Sequence, residues 1–234
     1  MNIVITGASS GIGFEAVLDL ILKNEHTVFA LARSENKLRT LYEIAQGLNP
    51  NCTLIPAKFD IVHDNYEHSL LPFIKEHVPE IDVLINNAGQ LVNKPFMELT
   101  QIDIAAMLQS NILGHIKMIQ HLVPIMSNGA HILNIGSMGA FQGSSKFPGL
   151  AAYSASKAAL HNLTETLAVE LADRNIKVNC LALGSAQTEM LEKAFPDYES
   201  PVAAYEMGRY IAEFAVSGHK LFNGKILPVA VSTP

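Results

Sequence analysis

At 234 residues and 49% hydrophobic content, the chain is long enough for one large domain with a continuous core, and a single domain over residues 1–234 is expected. A net charge of −6 with 16% charged residues excludes the clustered Lys and Arg face that nucleic-acid binding requires. No apolar run reaches the roughly 18 to 20 residues of a membrane span, and the first six residues lack the basic start and long apolar stretch of a signal peptide. No nucleic-acid or membrane partner is therefore expected. Cys52 and Cys180 sit in apolar contexts without a CxxC pattern, which reads as two buried, reduced thiols and a cytoplasmic setting.

Seven apolar, β-rich runs follow in chain order: Asn2 to Thr6, Thr27 to Ala32, Thr53 to Ala57, Ile81 to Asn86, Ala130 to Ile135, Lys177 to Leu181 and Lys225 to Val229. Between them lie helical patterns at Gly13 to Lys23, Glu35 to Gln46, Asn65 to His77, Ile102 to Met126, Ala152 to Asp173 and Pro201 to Ser217. Strands that are apolar throughout, alternating with helices, predict an α/β fold: a doubly wound parallel sheet with helices on both faces. Ligands of such sheets bind beyond the carboxyl ends of the strands. The residues to inspect are therefore those just after each strand.

After the first strand comes Gly7-Ala8-Ser9-Ser10-Gly11-Ile12-Gly13. Its glycines permit a tight turn and bring backbone N–H groups at a helix start within reach of a diphosphate. The spacing is Gly-x-x-x-Gly-x-Gly, and a plain strand-to-helix connection is the alternative. At the second exit stands Arg33, with no acid to grip a ribose 2′-hydroxyl, which favours NADP(H) over NAD(H). A solvated helix start is the other reading. Asp60 and Ile61 follow the third strand, where Asp60 either meets an adenine edge or caps the helix near His63 or Asp64. Asn87, Ala88 and Gly89 form the fourth exit, either bracing a cofactor site or making an Asn-rich turn.

Tyr153 and Lys157 stand four residues apart in Tyr153-Ser154-Ala155-Ser156-Lys157, so an ammonium and a phenol share one helix face. An ammonium there is expected to lower the phenol pKa. The turn at Gly7 to Gly13, the Asn86 to Gly89 segment, Asn111, Ser137 and the Tyr153/Lys157 pair together resemble the short-chain dehydrogenase/reductase family, in matching order from residue 3 to about residue 190. The resemblance implies a Rossmann fold, an NAD(P)-dependent oxidoreductase, and a tetrad at Asn111, Ser137, Tyr153 and Lys157. It implies that Tyr153 is the general acid/base, Ser137 holds the carbonyl oxygen, Lys157 also holds the nicotinamide ribose, and Asn111 positions a water. Gly184, Ala186 and Thr188 would contact the cofactor as well.

The chain departs from the family pattern in several places. Gly136 stands where another Ser is usual, and 16 positions separate Ser137 from Tyr153, with the extra length in Gly143 to Gly149. Leu183-Gly184 replaces the common Pro-Gly pair, and Pro228 to Pro234 lacks a Gly-Gly pair. Residues 189–200, with Met190, Leu191, Phe195 and Tyr198, are expected to form a short substrate lid. Nine histidines without the i, i+4 spacing of helical zinc ligands read as surface or capping residues, with His115 on the face of Asn111. No metal is expected. The leading reading is an NADP(H)-dependent carbonyl reductase or alcohol dehydrogenase acting on a small or medium ketone or aldehyde, as a homodimer or homotetramer. An NAD-dependent alcohol dehydrogenase and a non-catalytic dinucleotide sensor are the alternatives.

Overall fold

The computed structural model describes residues 1–22 and 25–231. Seven strands form one parallel sheet in the order β3-β2-β1-β4-β5-β6-β7. They are β1 (Asn2–Thr6), β2 (Thr27–Ala32), β3 (Thr53–Lys58), β4 (Ile81–Asn86), β5 (Met126–Ser137), β6 (Lys177–Leu183) and β7 (Ile226–Val229). The eight α-helices among the described residues are α1 (Gly11–Ile21), α2 (Glu35–Leu48), α3 (Leu71–His77), α4 (Gln101–Leu108), α5 (Gly114–Leu122), α6 (Ala151–Glu170), α7 (Glu189–Ala194) and α8 (Ala204–Ser217). The expected helix end at Lys23 and the last three residues of the tail lie outside the described residues.

Alternation along the strands divides the core in two. Ile3 and Ile5 of β1 pack with α1, α2 and α8 through Leu20, Leu41 and Ile211. Val4 faces the other way, toward Leu70, Ile74, Met118 and Leu122. Both faces of the sheet are thus covered, the doubly wound layout expected from unbroken apolar strands. Strand order reverses between β1 and β4, which opens a crevice at their carboxyl ends.

Two helical patterns are not continuous helices. The stretch expected as Ile102 to Met126 consists of α4, a π turn at Gln109–Leu113, α5 and a 3₁₀ turn at Val123–Ile125. Pro124 lies in that last turn, and β5 already begins at Met126. The stretch expected as Asn65 to His77 opens with a π turn, Tyr66–Leu70, capped by Asn65 Oδ1, which accepts from His68 N at 2.9 Å. Asp60 accepts instead from Val62 N at 2.8 Å, closing a local turn.

The histidine expectation needs correction. His115, His131 and His161 are buried. His131 stands on a strand covered on both faces, and its ring is held by Ala215 O at 2.8 Å and Asn179 Nδ2 at 3.1 Å. Among the described residues no group of His, Cys, Asp and Glu could hold a metal ion, and no helix is long and apolar enough to cross a membrane. Both cysteines are free thiols; Cys180 is buried, whereas Cys52 is only half-buried.

Candidate active site

A cleft of about 840 Å³ runs along the carboxyl ends of the strands. Of the residues singled out in the sequence, Gly7, Ser9, Ser10, Gly11, Ile12, Arg33, Asp60, Ile61, Asn87, Ala88, Gly89, Ser137, Tyr153, Lys157, Gly184, Ala186 and Thr188 all line it. Gly13 and Asn111 do not; each lies behind the wall and shapes it.

The glycine turn is built to approach a ligand with backbone. Gly7 and Gly11 have φ of 68° and 57°, the left-handed region that side chains disfavour. A Cβ on Gly7 would stand 2.8 Å from Ala88 Cα, and one on Gly11 would stand 3.3 Å from Thr188 Cγ2. Ser10 makes no side-chain cap to α1, and no acid occupies that helix's first turn. The first amides of α1 thus face the cleft end of a positive helix dipole, a seat suited to the diphosphate of a dinucleotide.

Asn87 and Thr6 hold this turn against β4. Thr6 Oγ1 accepts from Asn87 N at 3.1 Å and Ala88 N at 3.0 Å. Asn87 Nδ2 donates to the carbonyls of Thr6 and Gly7 at 2.9 and 3.2 Å. Gly13 leaves room for that amide, since a Cβ there would collide with Nδ2. Bracing of the turn is therefore a role that Asn87 visibly performs. The part of Thr6 was not legible, because a Thr ending an apolar strand carries no distinctive spacing.

Arg33 is exposed at the end of β2 and forms no ion pair among the described residues. Lys37, one turn into α2, is paired with Glu189 of α7 at 3.0 Å. Both residues of that pair line the cleft, and neither was singled out from sequence. Helix α7 was also missed, although Thr188 followed by Glu189 and Glu192 is a readable helix start. Thr188 Oγ1 caps it by accepting from Leu191 N at 3.2 Å.

Tyr153, Ser137 and Lys157 converge at the other end. Ser137 ends β5, and its hydroxyl meets the Tyr153 phenol. Burial pushes the phenol above its ordinary value, and the bond with Ser137 opposes that shift. The expected lowering by Lys157 is not what the geometry gives. Lys157 is 3% exposed, and its ammonium donates to Ile135 O at 2.7 Å. Burial pulls its pKa down to about 8.

Asn111 occupies the π turn between α4 and α5, fully buried. Its Oδ1 accepts from Gln90 N at 2.7 Å, and its Nδ2 donates to Gln90 O at 2.8 Å and to Ser156 Oγ at 2.9 Å. A Cβ on Gly89 would stand 3.2 Å from Asn111 Oδ1 and 3.5 Å from Lys157 Nζ. Asn111 and Lys157 thus both stand close behind Gly89, which has no side chain to keep them away. Asn111 ties the fourth strand exit to α6 by its side chain.

The family model for short chain dehydrogenases matches residues 1–199. The chain belongs to the short-chain dehydrogenase family. Its members are NAD(P)-dependent oxidoreductases, and this chain is such an enzyme. It is 33% identical over 212 residues to the 3-oxoacyl-[acyl-carrier-protein] reductase FabG of Thermotoga maritima, covering 88% of this chain and 83% of that protein. It is 30% identical over 210 residues to the NADPH-dependent 1-acyldihydroxyacetone phosphate reductase of Saccharomyces cerevisiae, covering 88% of this chain and 67% of that one. Among solved structures, ElxO with NADP bound superposes with a TM-score of 0.84 at 26% identity, covering 97% of this chain and 96% of that chain.

Proposed function

We propose that this short-chain dehydrogenase is an NADP(H)-dependent carbonyl reductase, or alcohol dehydrogenase in the reverse direction, acting on a small or medium ketone or aldehyde. The observation that carries the reading is the meeting of Tyr153 and Ser137, with Lys157 beneath, in the same cleft as the glycine turn. The nicotinamide cofactor, when bound, supplies or accepts the hydride. Tyr153, with its pKa raised, keeps its proton at neutral pH and donates it to the carbonyl oxygen. Ser137 hydrogen-bonds that oxygen as negative charge develops. Lys157, one turn further along α6 and anchored to Ile135 O, would hold the nicotinamide ribose through its ammonium. Asn111 keeps the floor behind Gly89 in place and positions a water beside Lys157.

Arg33 supports NADP(H). A free guanidinium where an acid would serve a 2′-hydroxyl suits a 2′-phosphate. The glycine turn would seat the diphosphate, Asp60 and Ile61 the adenine, and Gly184, Ala186 and Thr188 the nicotinamide half. The NADP-bound relative and the NADPH-dependent yeast relative accord with this choice. We read residues 1–234 as a single domain with a lid over 189–200, of which α7 is the ordered core. Met190, Leu191, Phe195 and Tyr198 line the cleft there, so the lid presents apolar surface to the substrate. Two free thiols accord with a cytoplasmic setting.

The test is coenzyme oxidation against a panel of ketones, diones and aldehydes, with NADPH and NADH run in parallel. Turnover is expected with NADPH, with a KM about 10-fold or more below that for NADH, from one charge-assisted contact. Tight coenzyme binding without turnover on any carbonyl would instead favour a dinucleotide sensor. Preference for NADH would favour an NAD-dependent alcohol dehydrogenase.

A further inference from the structure

Behind the cleft lies a buried group that the proposed chemistry does not use. His161 follows Lys157 by one turn of α6, so Tyr153, Lys157 and His161 form a ladder at i, i+4 and i+8. His161 is 8% exposed, and its Nε2 has no hydrogen-bond partner among the described residues. The ring fits there because position 136 is glycine. A Cβ on Gly136 would collide with His161 Nε2 and stand 2.7 Å from Cys180 Sγ. Gly136 directly follows Ile135, whose carbonyl anchors the Lys157 ammonium. A missing side chain thus places an imidazole beside the backbone that holds Lys157.

An unpaired ring nitrogen in a dry site destabilises the fold unless something else draws on its lone pair. We propose that His161 is a positioning residue for Lys157: its uncharged imidazole supports the ammonium from the side away from the cleft, and Gly136 is the space that admits it. This rests on Lys157 acting as set out above. The ionisable neighbours leave few other sources of support. Tyr153 shares the helix, His115 approaches from α5, Cys180 from β6 and Lys146 from the loop before α6. Burial, then the charges of Lys157 and Lys146, hold His161 down to about 4. Burial holds His115 down to about 3 and the Cys180 thiol up to about 12. All three are uncharged at neutral pH, so dipoles alone stabilise the Lys157 charge, and removing one lowers its pKa.

The test is an NMR titration of protein carrying ¹⁵N-labelled lysine, with the Lys157 signal assigned from Lys157→Arg. In His161→Leu the Lys157 titration is expected about one pH unit lower than in wild type. His161→Gln, which keeps a neutral acceptor, is expected near the wild-type value. The basic limb of kcat should shift in the same direction, because activity needs the ammonium. A purely structural role would lower the melting temperature and leave both titrations in place. Gly136→Ala, which pushes the ring aside without removing it, provides a second route should His161→Leu not fold, and the same downward shift is expected. An unchanged Lys157 titration in whichever of these variants folds overturns the inference. The titration needs neither coenzyme nor substrate, so absence of carbonyl turnover in wild type removes the reductase reading without touching this result.

Discussion

At the residue scale, the proposed preference for NADP(H) rests on Arg33. This side chain stands exposed at the β2 end of the cleft, without an ion pair among the described residues, so Arg33→Ala is expected to weaken NADPH binding roughly 10- to 100-fold, the range of a lost charge-assisted bond. NADH binding should barely change, and fluorescence titration of the two coenzymes separates the cases. Equal losses for both would show that Arg33 acts through the fold of α2 rather than through a phosphate. Lys37 also lines the cleft, but it is engaged in an exposed ion pair with Glu189, of the kind that contributes little to stability.

At the scale of elements, the strand exits are only as good as their bracing. Thr6 serves two backbone N–H groups of the fourth exit, so Thr6→Val leaves two donors without an acceptor. A loss of about 1–3 kcal/mol is expected in urea denaturation. Thr6→Ser should stay near wild type, because it keeps the oxygen. The strands were legible because a parallel sheet buried on both faces demands unbroken apolar runs, and β1, β2 and β4 have the bounds read from sequence. The breaks at Gln109–Leu113 and Tyr66–Leu70 were not, since a single π turn offsets the apolar pattern by only one residue, too little to stand out in a short helical window. Asn111 hinted at the first of them as an amide stranded in a helix interior. Lys157 and Tyr153 were legible as a pair, and Ser137 through the resemblance, yet their contacts were not: Ile135 O and the Ser137 hydroxyl come from a strand, which helical spacing cannot show. His161 was hidden for a related reason, because its burial depends on the space left by Gly136 on another element.

At the scale of the whole molecule, buried histidines tie stability to pH. The folded-state values of His115, His131 and His161 lie near 3, 4 and 4, below the ordinary 6.5. Between those values and 6.5 the unfolded chain binds more protons than the folded one. The stability these groups contribute is therefore fully present above pH 6.5 and is lost as pH falls toward 4. Urea midpoints should drop across that window, and His131→Gln should flatten the drop. The outer surface carries a second expectation. Ile102 is 80%, Val169 77% and Leu113 50% exposed, on α4, on α6 and in the π turn after α4. We therefore propose a homodimer or homotetramer, and light scattering at working concentration is expected to give a multiple of 25.4 kDa. The most direct measurement concerns the proton that Tyr153 is proposed to donate. NADPH oxidation with a turned-over ketone is expected to fall by about 10²–10⁴ in Tyr153→Phe, with coenzyme affinity retained. A folded Tyr153→Phe enzyme that turns over at the wild-type rate would contradict the role given to the phenol.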